Sequence, residues 1–238
     1  FTRLSGADRT VGFDCPLRRA WFHETARAGY ADSHHADSLR RLGEVLGLGW
    51  VEGPPPVSGE ARAKAAALLA GAGIGEGEPL VVVAPGGRDD LERVDKRWPA
   101  DRFAALVKAL AADGVRVVVT GSADETALCG RVSGGHAENL AGKTGCEDLA
   151  ALFARCRLVV GNNSGPVHLA SSLGIPTLSF SGGVHLVQWK PLGSAAQILL
   201  LDERCAETIC RTCPDKGSAC LEPIGMDRVG AEARRILA

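Results

Sequence analysis

Short apolar runs alternate with longer segments of helical periodicity from residue 80 onward. The run LVVVA at residues 80–84 predicts a buried strand, and similar runs begin at residues 115, 158 and 175. The segment after the first run places four apolar side chains on one helical face: Phe103, Leu106, Val107 and Leu110. Because strands that alternate with helices favour a parallel sheet covered on both faces, the pattern predicts an α/β domain.

Residues 1–55 carry a weaker pattern. Leucines recur at helical spacing around residue 42, and the sequence GPPP at residues 53–56 is typical of a linker. We therefore expect residues 1–55 to hold the remnant of one domain with a linker, and residues 56–238 to form a second domain.

The composition excludes some function classes. A formal net charge of −1 over 238 residues gives no basic excess to attract nucleic acid, and no apolar run reaches the length of a membrane span. The chain begins with Phe1, and its one methionine is Met226. We therefore expect a sequence that is processed or truncated at its N-terminus.

Four polar or glycine-rich turns follow the predicted strands: APGG at 84–87, TGSADE at 120–125, GNNSGP at 161–166 and FSGGVH at 180–185. All four lie at carboxyl ends of strands. In an open parallel sheet these ends share one edge, which is where ligands bind. The sequence therefore predicts a binding site along this edge.

The GNNSGP turn has the chemistry of an anion site. Asn163 or Ser164 can cap the helix that follows, Gly165 allows a ligand close to the backbone, and Pro166 suits the first turn. A helix N-terminus favours anions, and His168 lies within the same turn. A capped helix with a buried, hydrogen-bonded histidine explains the stretch equally well.

Two other turns add groups for a nucleotide diphosphate. Pro85, Gly86 and Gly87 form a turn whose amides can face a phosphate, and Lys96 can supply a positive charge, although a solvated charged loop is the alternative. Glu125, or Asp124 beside it, can accept hydrogen bonds from ribose hydroxyls. Asp124 also suits a helix cap.

In this order and spacing the motifs resemble glycosyltransferase family 9, the lipopolysaccharide heptosyltransferases. The resemblance covers roughly residues 80–235 and rests on APGG, KRWPADRFAALVKAL, VVVTGSADE, the stretch from NLAGKTG to LSFSGG, and CRTCPDKGSACLEPI. It implies a GT-B fold with two Rossmann-like domains. The second domain binds an ADP-sugar, and the first binds the acceptor and carries the catalytic Asp. Inverting transfer then needs no metal.

The resemblance also assigns roles to residues. Lys96 maps to a diphosphate contact, Glu125 to a ribose or adenine contact, and the family motif DSGPxHLA maps onto the residues from Asn163 to His168. The family has Asp where this chain has Asn163, so we expect looser discrimination among sugars. The donor-binding residues predicted in this way are Pro85, Gly86, Gly87, Lys96, Glu125, Asn163, Ser164, Gly165 and His168. The catalytic base is expected upstream and is unknown.

The eight cysteines fall into two groups. Four are dispersed and are interpreted as small core or surface residues: Cys15, Cys129, Cys146 and Cys156. Four cluster at a spacing that four thiolates around structural Zn or Fe would allow: Cys205, Cys210, Cys213 and Cys220. Free thiols are the main alternative, and disulfides are disfavoured in a reducing compartment.

The expected function is therefore heptose transfer from an ADP-sugar to a lipopolysaccharide-core-like glycolipid. Such an enzyme is bacterial and cytoplasmic, with peripheral contact at the inner face of the cytoplasmic membrane, and it has no nucleic-acid partner. The alternatives are transfer of another sugar, a protein acceptor, and a non-catalytic nucleotide-sugar-binding or assembly domain.

Overall fold

A computed structural model describes residues 8–13, 23–26, 33–51, 53–87, 97–182, 186–200 and 221–238. The strands are β1 (Val11–Phe13), β2 (Glu24–Ala26), β3 (Leu80–Ala84), β4 (Arg116–Val119), β5 (Glu138–Asn139), β6 (Leu158–Asn162), β7 (Thr177–Phe180) and β8 (Ala196–Leu199). The helices are α1 (His35–Val45), α2 (Gly59–Gly71), α3 (Ala100–Ala112), α4 (Thr126–Ser133), α5 (Cys146–Phe153), α6 (Gly165–Ser172), α7 (Leu186–Trp189) and α8 (Met226–Leu237).

The chain divides into two compact units. The first comprises Phe1–Gly53 with His185–Lys190, and the second comprises Pro54–Val184 with Pro191–Ala238. Across the described ranges, no helix is both long and apolar enough to cross a bilayer.

The first unit contains β1 paired in parallel with β2, together with α1 and α7. The Arg9 guanidinium donates two hydrogen bonds to the Glu24 carboxylate, at 2.6 and 3.0 Å, and one to the Val45 carbonyl at the end of α1. The imidazole of His35 in α1 stacks on Trp189 in α7, with ring centroids 4.5 Å apart. These contacts join elements that are distant in sequence.

The second unit is built on one parallel sheet with the strand order β5-β4-β3-β6-β7-β8 among the described residues. From β3 the chain winds outward through β4 to β5, and from β6 it winds the other way through β7 to β8. The order therefore reverses between β3 and β6. In doubly wound sheets the crevice beside such a reversal, at the carboxyl ends of the strands, is where ligands bind.

Both faces of this sheet are covered, as the alternating side chains of β3 show. Val81 and Val83 pack in a core with α3, α4 and α8, whereas Leu80 and Val82 pack in a second core with α2, α5 and α6. The helical face predicted from the sequence is buried in α3, as expected. The prediction of an α/β parallel sheet is thus confirmed.

An aromatic cluster fixes α3 against the sheet. Trp98 stacks on Phe180 with ring centroids 4.6 Å apart and meets Phe103 edge-on at 4.9 Å. Its indole Nε1–H donates to the Ile224 carbonyl at 2.8 Å, so a fully buried ring has its polar group satisfied. The start of α3 is therefore held beside the carboxyl end of β7.

Candidate functional site

The carboxyl ends of β3, β4, β6 and β7 lie side by side at one edge of the sheet, since all their pairings are parallel. Among the predicted site residues, the described ones all belong to turns at this edge or to the start of α6. Lys96 lies outside the described residues, and so do Cys205, Cys210, Cys213 and Cys220.

Glu125 joins two of these turns. It ends a 3-10 turn after β4, Ala123–Glu125. Its Oε1 accepts from the Gly87 N–H at 3.1 Å, and its Oε2 accepts from the Ser122 N–H at 2.8 Å. The carboxylate therefore lies, as predicted, at the edge formed by the carboxyl ends of β3, β4, β6 and β7, which we call the rim. It is Glu125, rather than Asp124, that accepts from the Ser122 N–H at the start of this turn. Two of its roughly four acceptor positions are occupied by these bonds.

Two glycines make room for that carboxylate. A Cβ on Gly86 would lie 2.0 Å from Oε1 of Glu125, and a Cβ on Gly121 would lie 2.8 Å from Oε2. Both distances are shorter than van der Waals contact allows. The glycines of the APGG and TGSADE turns thus serve close packing against Glu125. The Gly87 amide, which we expected to face a phosphate, here donates to a carboxylate instead.

Asn162 is a residue that the sequence reasoning missed. It is the last residue of β6 and is 2% exposed. Its Oδ1 accepts from the Trp98 N–H at 2.8 Å, and its Nδ2 donates to the carbonyls of Pro85 at 2.7 Å and Gly86 at 3.1 Å. Strand periodicity could have identified it, because side chains at every second position of a strand lie on the same face. Leu158 and Val160 pack in the same core as Trp98, so the side chain of Asn162 is expected on that face too.

Asn163, in the turn after β6, connects this turn to the end of β7 and the residue after it. Its backbone N–H donates to the Phe180 carbonyl at 3.0 Å, and its side-chain Nδ2 donates to Oγ of the buried Ser181 at 3.3 Å. The two adjacent asparagines therefore act in opposite directions: Asn162 reaches toward β3, and Asn163 reaches toward β7.

Helix α6 begins at Gly165 with Ser164 as its N-cap residue and Pro166 in its first turn. The expected side-chain cap is not formed: Ser164 is extended (φ −146°, ψ 174°) and makes no capping bond within the described structure. A Cβ on the exposed Gly165 would meet none of the described atoms within 4 Å. Because the first amides of a helix have no partner within the helix, this open N-terminus is suited to an anion.

Two basic residues belong to the segments beside these turns: His168 in α6 and Arg97 just before α3. His168, in the first turn of α6, is half-buried, and its backbone N–H bonds to the Ser164 carbonyl at 3.2 Å. Arg97, half-buried, immediately precedes the residue bound by Asn162, and its Cγ lies 3.7 Å from a Cβ position on Gly87. The Arg97 side chain therefore packs beside the turn that follows β3.

The described cysteines behave as core or surface residues, as predicted. Burial, together with the nearby Glu125 charge, raises the pKa of Cys129 to about 11, and burial raises the pKa of Cys156 to about 12. Cys146 is exposed, and the three are unpaired thiols. Within the described part of the chain, no three His, Cys, Asp or Glu side chains are grouped for metal binding.

A separate cavity of about 360 Å³ opens at the other edge of the sheet, before β3, β4 and β5. Its polar lining includes Arg116, His136 and Glu138. Arg116 donates to the carbonyls of Ala72 and Gly73, each at 3.0 Å, and so closes the end of α2. This cavity lies at the opposite edge of the sheet from the carboxyl ends of β3, β4, β6 and β7.

Comparison with known proteins decides the family. The sequence model of glycosyltransferase family 9 (heptosyltransferase) matches residues 2–219, which is most of the chain. The chain belongs to glycosyltransferase family 9. The resemblance inferred from the motifs is thereby confirmed.

Individual members of the family show the same likeness. Lipopolysaccharide heptosyltransferase 3 of Escherichia coli is 31% identical over 123 residues, which are 49% of this chain and 35% of that protein. The chain thus matches only about a third of that curated relative's length.

Two solved structures share the fold. A family 9 glycosyltransferase from Veillonella parvula gives a TM-score of 0.78 at 24% identity, covering 97% of this chain and 67% of that one. The E. coli ADP-heptose lipopolysaccharide heptosyltransferase II gives 0.73 at 20% identity, covering 99% and 71%. The expected GT-B-type, Rossmann-like fold class of this family 9 chain is confirmed.

Proposed function

We propose that this family 9 chain binds the donor in an inverting glycosyltransferase that moves heptose from an ADP-sugar to a lipopolysaccharide-core-like acceptor. The main support is that glycine-rich backbone, the open N-terminus of α6 and the Glu125 carboxylate converge on the β3–β6 strand reversal. The E. coli structure described above is named for ADP-heptose and lipopolysaccharide, which agrees with this substrate class.

The diphosphate is assigned to the N-terminus of α6. There the partial positive charge of the helix and the amides around Gly165 favour an anion. Arg97, whose side chain packs beside Gly87, is proposed to add a full positive charge from the β3 side. As the sugar–phosphate bond breaks, negative charge grows on the leaving diphosphate, so fixed donors at this point lower the barrier. Lys96 and His168 are proposed to complete this set of donors.

The ribose is assigned to Glu125. Two backbone N–H groups hold its carboxylate in place, and its remaining lone pairs can accept from hydroxyls. A carboxylate oriented in this way binds a sugar diol without having to be ordered first.

The donor sugar is assigned to Asn163. Its amide already donates to Ser181, and as a neutral group it forms weaker hydrogen bonds to hydroxyls than the Asp that the family has at this position. We therefore propose that discrimination among ADP-sugars is looser here.

The acceptor half is proposed to include the first unit, with residues 1–55 as part of the acceptor domain and residues 56–238 as the donor domain. We assign no catalytic base in this chain. The acceptor is proposed to be a growing glycolipid at the inner face of the cytoplasmic membrane, reached by peripheral contact.

The four clustered cysteines, Cys205, Cys210, Cys213 and Cys220, are proposed to bind a structural Zn or Fe ion. Metal–thiolate bonding would contribute directly to folding stability. Elemental analysis of anaerobically purified protein should find about one metal ion per chain. A chelator should remove this metal and lower the melting temperature of the protein. Metal-free protein with the same melting temperature would contradict the proposal.

A donor screen tests the proposed function. The longest available form of the protein is incubated with ADP-heptose, other ADP-sugars and UDP-sugars, with a lipopolysaccharide-core acceptor, and release of nucleoside diphosphate is measured. The proposal predicts acceptor-dependent release from ADP-sugars. Binding of ADP without release under any condition would favour a non-catalytic nucleotide-sugar-binding domain instead.

A further inference from the structure

The last two residues of β6 pack closely against the end of β3. Gly161 pairs with Ala84, and a Cβ on Gly161 would lie 2.6 Å from the Ala84 carbonyl oxygen. Glycine therefore lets the two strands approach closely at the point where the strand order reverses. The next residue, Asn162, is consequently placed beside Pro85 at a fixed height in the sheet.

The Asn162 amide is almost fully used. Both N–H groups can be satisfied by the carbonyls of Pro85 and Gly86, and its oxygen accepts from the Trp98 N–H, all at 2.7–3.1 Å. This pattern needs donors and an acceptor on one short planar group, which Asn alone provides at this length. Burial at 2% exposure makes each unmade bond costly.

The groups that Asn162 binds all border the rim. Pro85 and Gly86 lead directly into Gly87, whose N–H holds Glu125. Trp98 directly follows Arg97, which packs beside Gly87. One buried amide therefore sets the β3 turn, and through it Glu125, relative to Arg97.

We propose that Asn162 is a positioning residue of the donor site: it orients the Pro85–Gly87 turn and Arg97 toward the N-terminus of α6 and does not itself touch the nucleotide. This inference rests on the proposed function, since it presupposes that the rim binds a nucleotide diphosphate.

The test compares ADP affinity with stability in the full chain. Asn162→Ala is the main variant, and Asn162→Ser is a milder one that adds no charge. Ser179→Ala is the control, because Ser179 is buried in the neighbouring strand β7 and its hydroxyl donates at 3.2 Å to the Gln197 carbonyl of β8, on the side of β7 opposite β6. ADP binding is measured by titration calorimetry well below each variant's unfolding transition.

The proposal predicts that Asn162→Ala weakens ADP binding about tenfold or more, a change equivalent to roughly 1.4 kcal/mol. Asn162→Ser should give a smaller loss in the same direction. Ser179→Ala should lower the melting temperature but change the ADP affinity less than about twofold, because a residue with only a structural role does not alter binding by the molecules that are folded.

Each other result contradicts the proposal. If the wild-type protein binds no ADP, both the proposed function and this inference are wrong. If the wild-type protein binds ADP and the Asn162→Ala variant binds it equally well, only this inference is wrong. If neither Asn162 variant folds, the residue acts in folding and not in positioning, and the proposal is wrong.

Discussion

Gly86→Ala should expose the close packing at the centre of the rim. Gly86 has no positive φ, so its backbone accepts an alanine. The new methyl group, however, would lie 2.0 Å from Oε1 and 2.3 Å from Cδ of Glu125. Since the carboxylate is the movable end of a side chain, it should swing away and lose its bonds to Gly87 and Ser122.

The size of the effect follows from those two bonds. Glu125 is only half-buried, so each bond contributes at the lower end of the range for charged groups, and the substitution should lower the unfolding free energy by about 1–3 kcal/mol. The measurement is urea denaturation with linear extrapolation. Gly59→Ala is the matched control, because a Cβ there meets no described atom within 4 Å, and it should change stability little.

A double-mutant cycle makes the reasoning testable. In a Glu125→Ala background the methyl group of Gly86→Ala meets no carboxylate, so the substitution should cost almost nothing. The two changes should therefore couple by roughly 1 kcal/mol or more. If their effects on unfolding free energy simply add, the Gly86–Glu125 contact does not exist as described and the account of this turn is wrong.

Two further predictions concern the Asp148 carboxylate and the reactivity of the described cysteines. A hydrogen bond from Lys64, helped by the Gly145 N–H, lowers the pKa of Asp148. The ionised carboxylate therefore stabilises the fold above its ordinary pKa, and this stabilisation is lost as pH falls through the lowered pKa. The difference in unfolding free energy between wild type and Asp148→Asn, measured in urea, should narrow below about pH 4, and an unchanged difference there would contradict this. Iodoacetamide at about pH 8 should modify the exposed Cys146 well before the buried Cys129, whose pKa is raised to about 11, and equal labelling by mass spectrometry would refute that ordering.

The sequence predicts the large features because they depend on periodicity. The buried face of α3 and the carboxyl-edge position of the motif turns both follow from strand and helix periods. The role of Glu125 was only half predicted. Its place at the rim follows from its turn, whereas its bonds to Gly87 and Ser122 depend on how two strand ends meet in space.

Other features were out of reach for physical reasons. The Arg9–Glu24 pair joins residues far apart in sequence across two three-residue strands, which are too short to show a pattern. The absence of a Ser164 side-chain cap depends on its backbone conformation, which the residue type does not fix. The hydrogen-bond partners of Asn162 and Asn163 depend on tertiary structure: Asn162 donates to the Pro85 carbonyl after β3, whereas Asn163 donates to the Ser181 hydroxyl after β7.

The central claim is that the β3–β6 strand reversal binds the nucleotide diphosphate. The most direct measurement is a crystal structure of the chain with ADP. The account predicts the diphosphate at the N-terminus of α6, within hydrogen-bonding distance of the amides around Gly165, and the ribose at Glu125. ADP bound at the opposite edge of the sheet, in the cavity lined by Arg116 and His136, would contradict it.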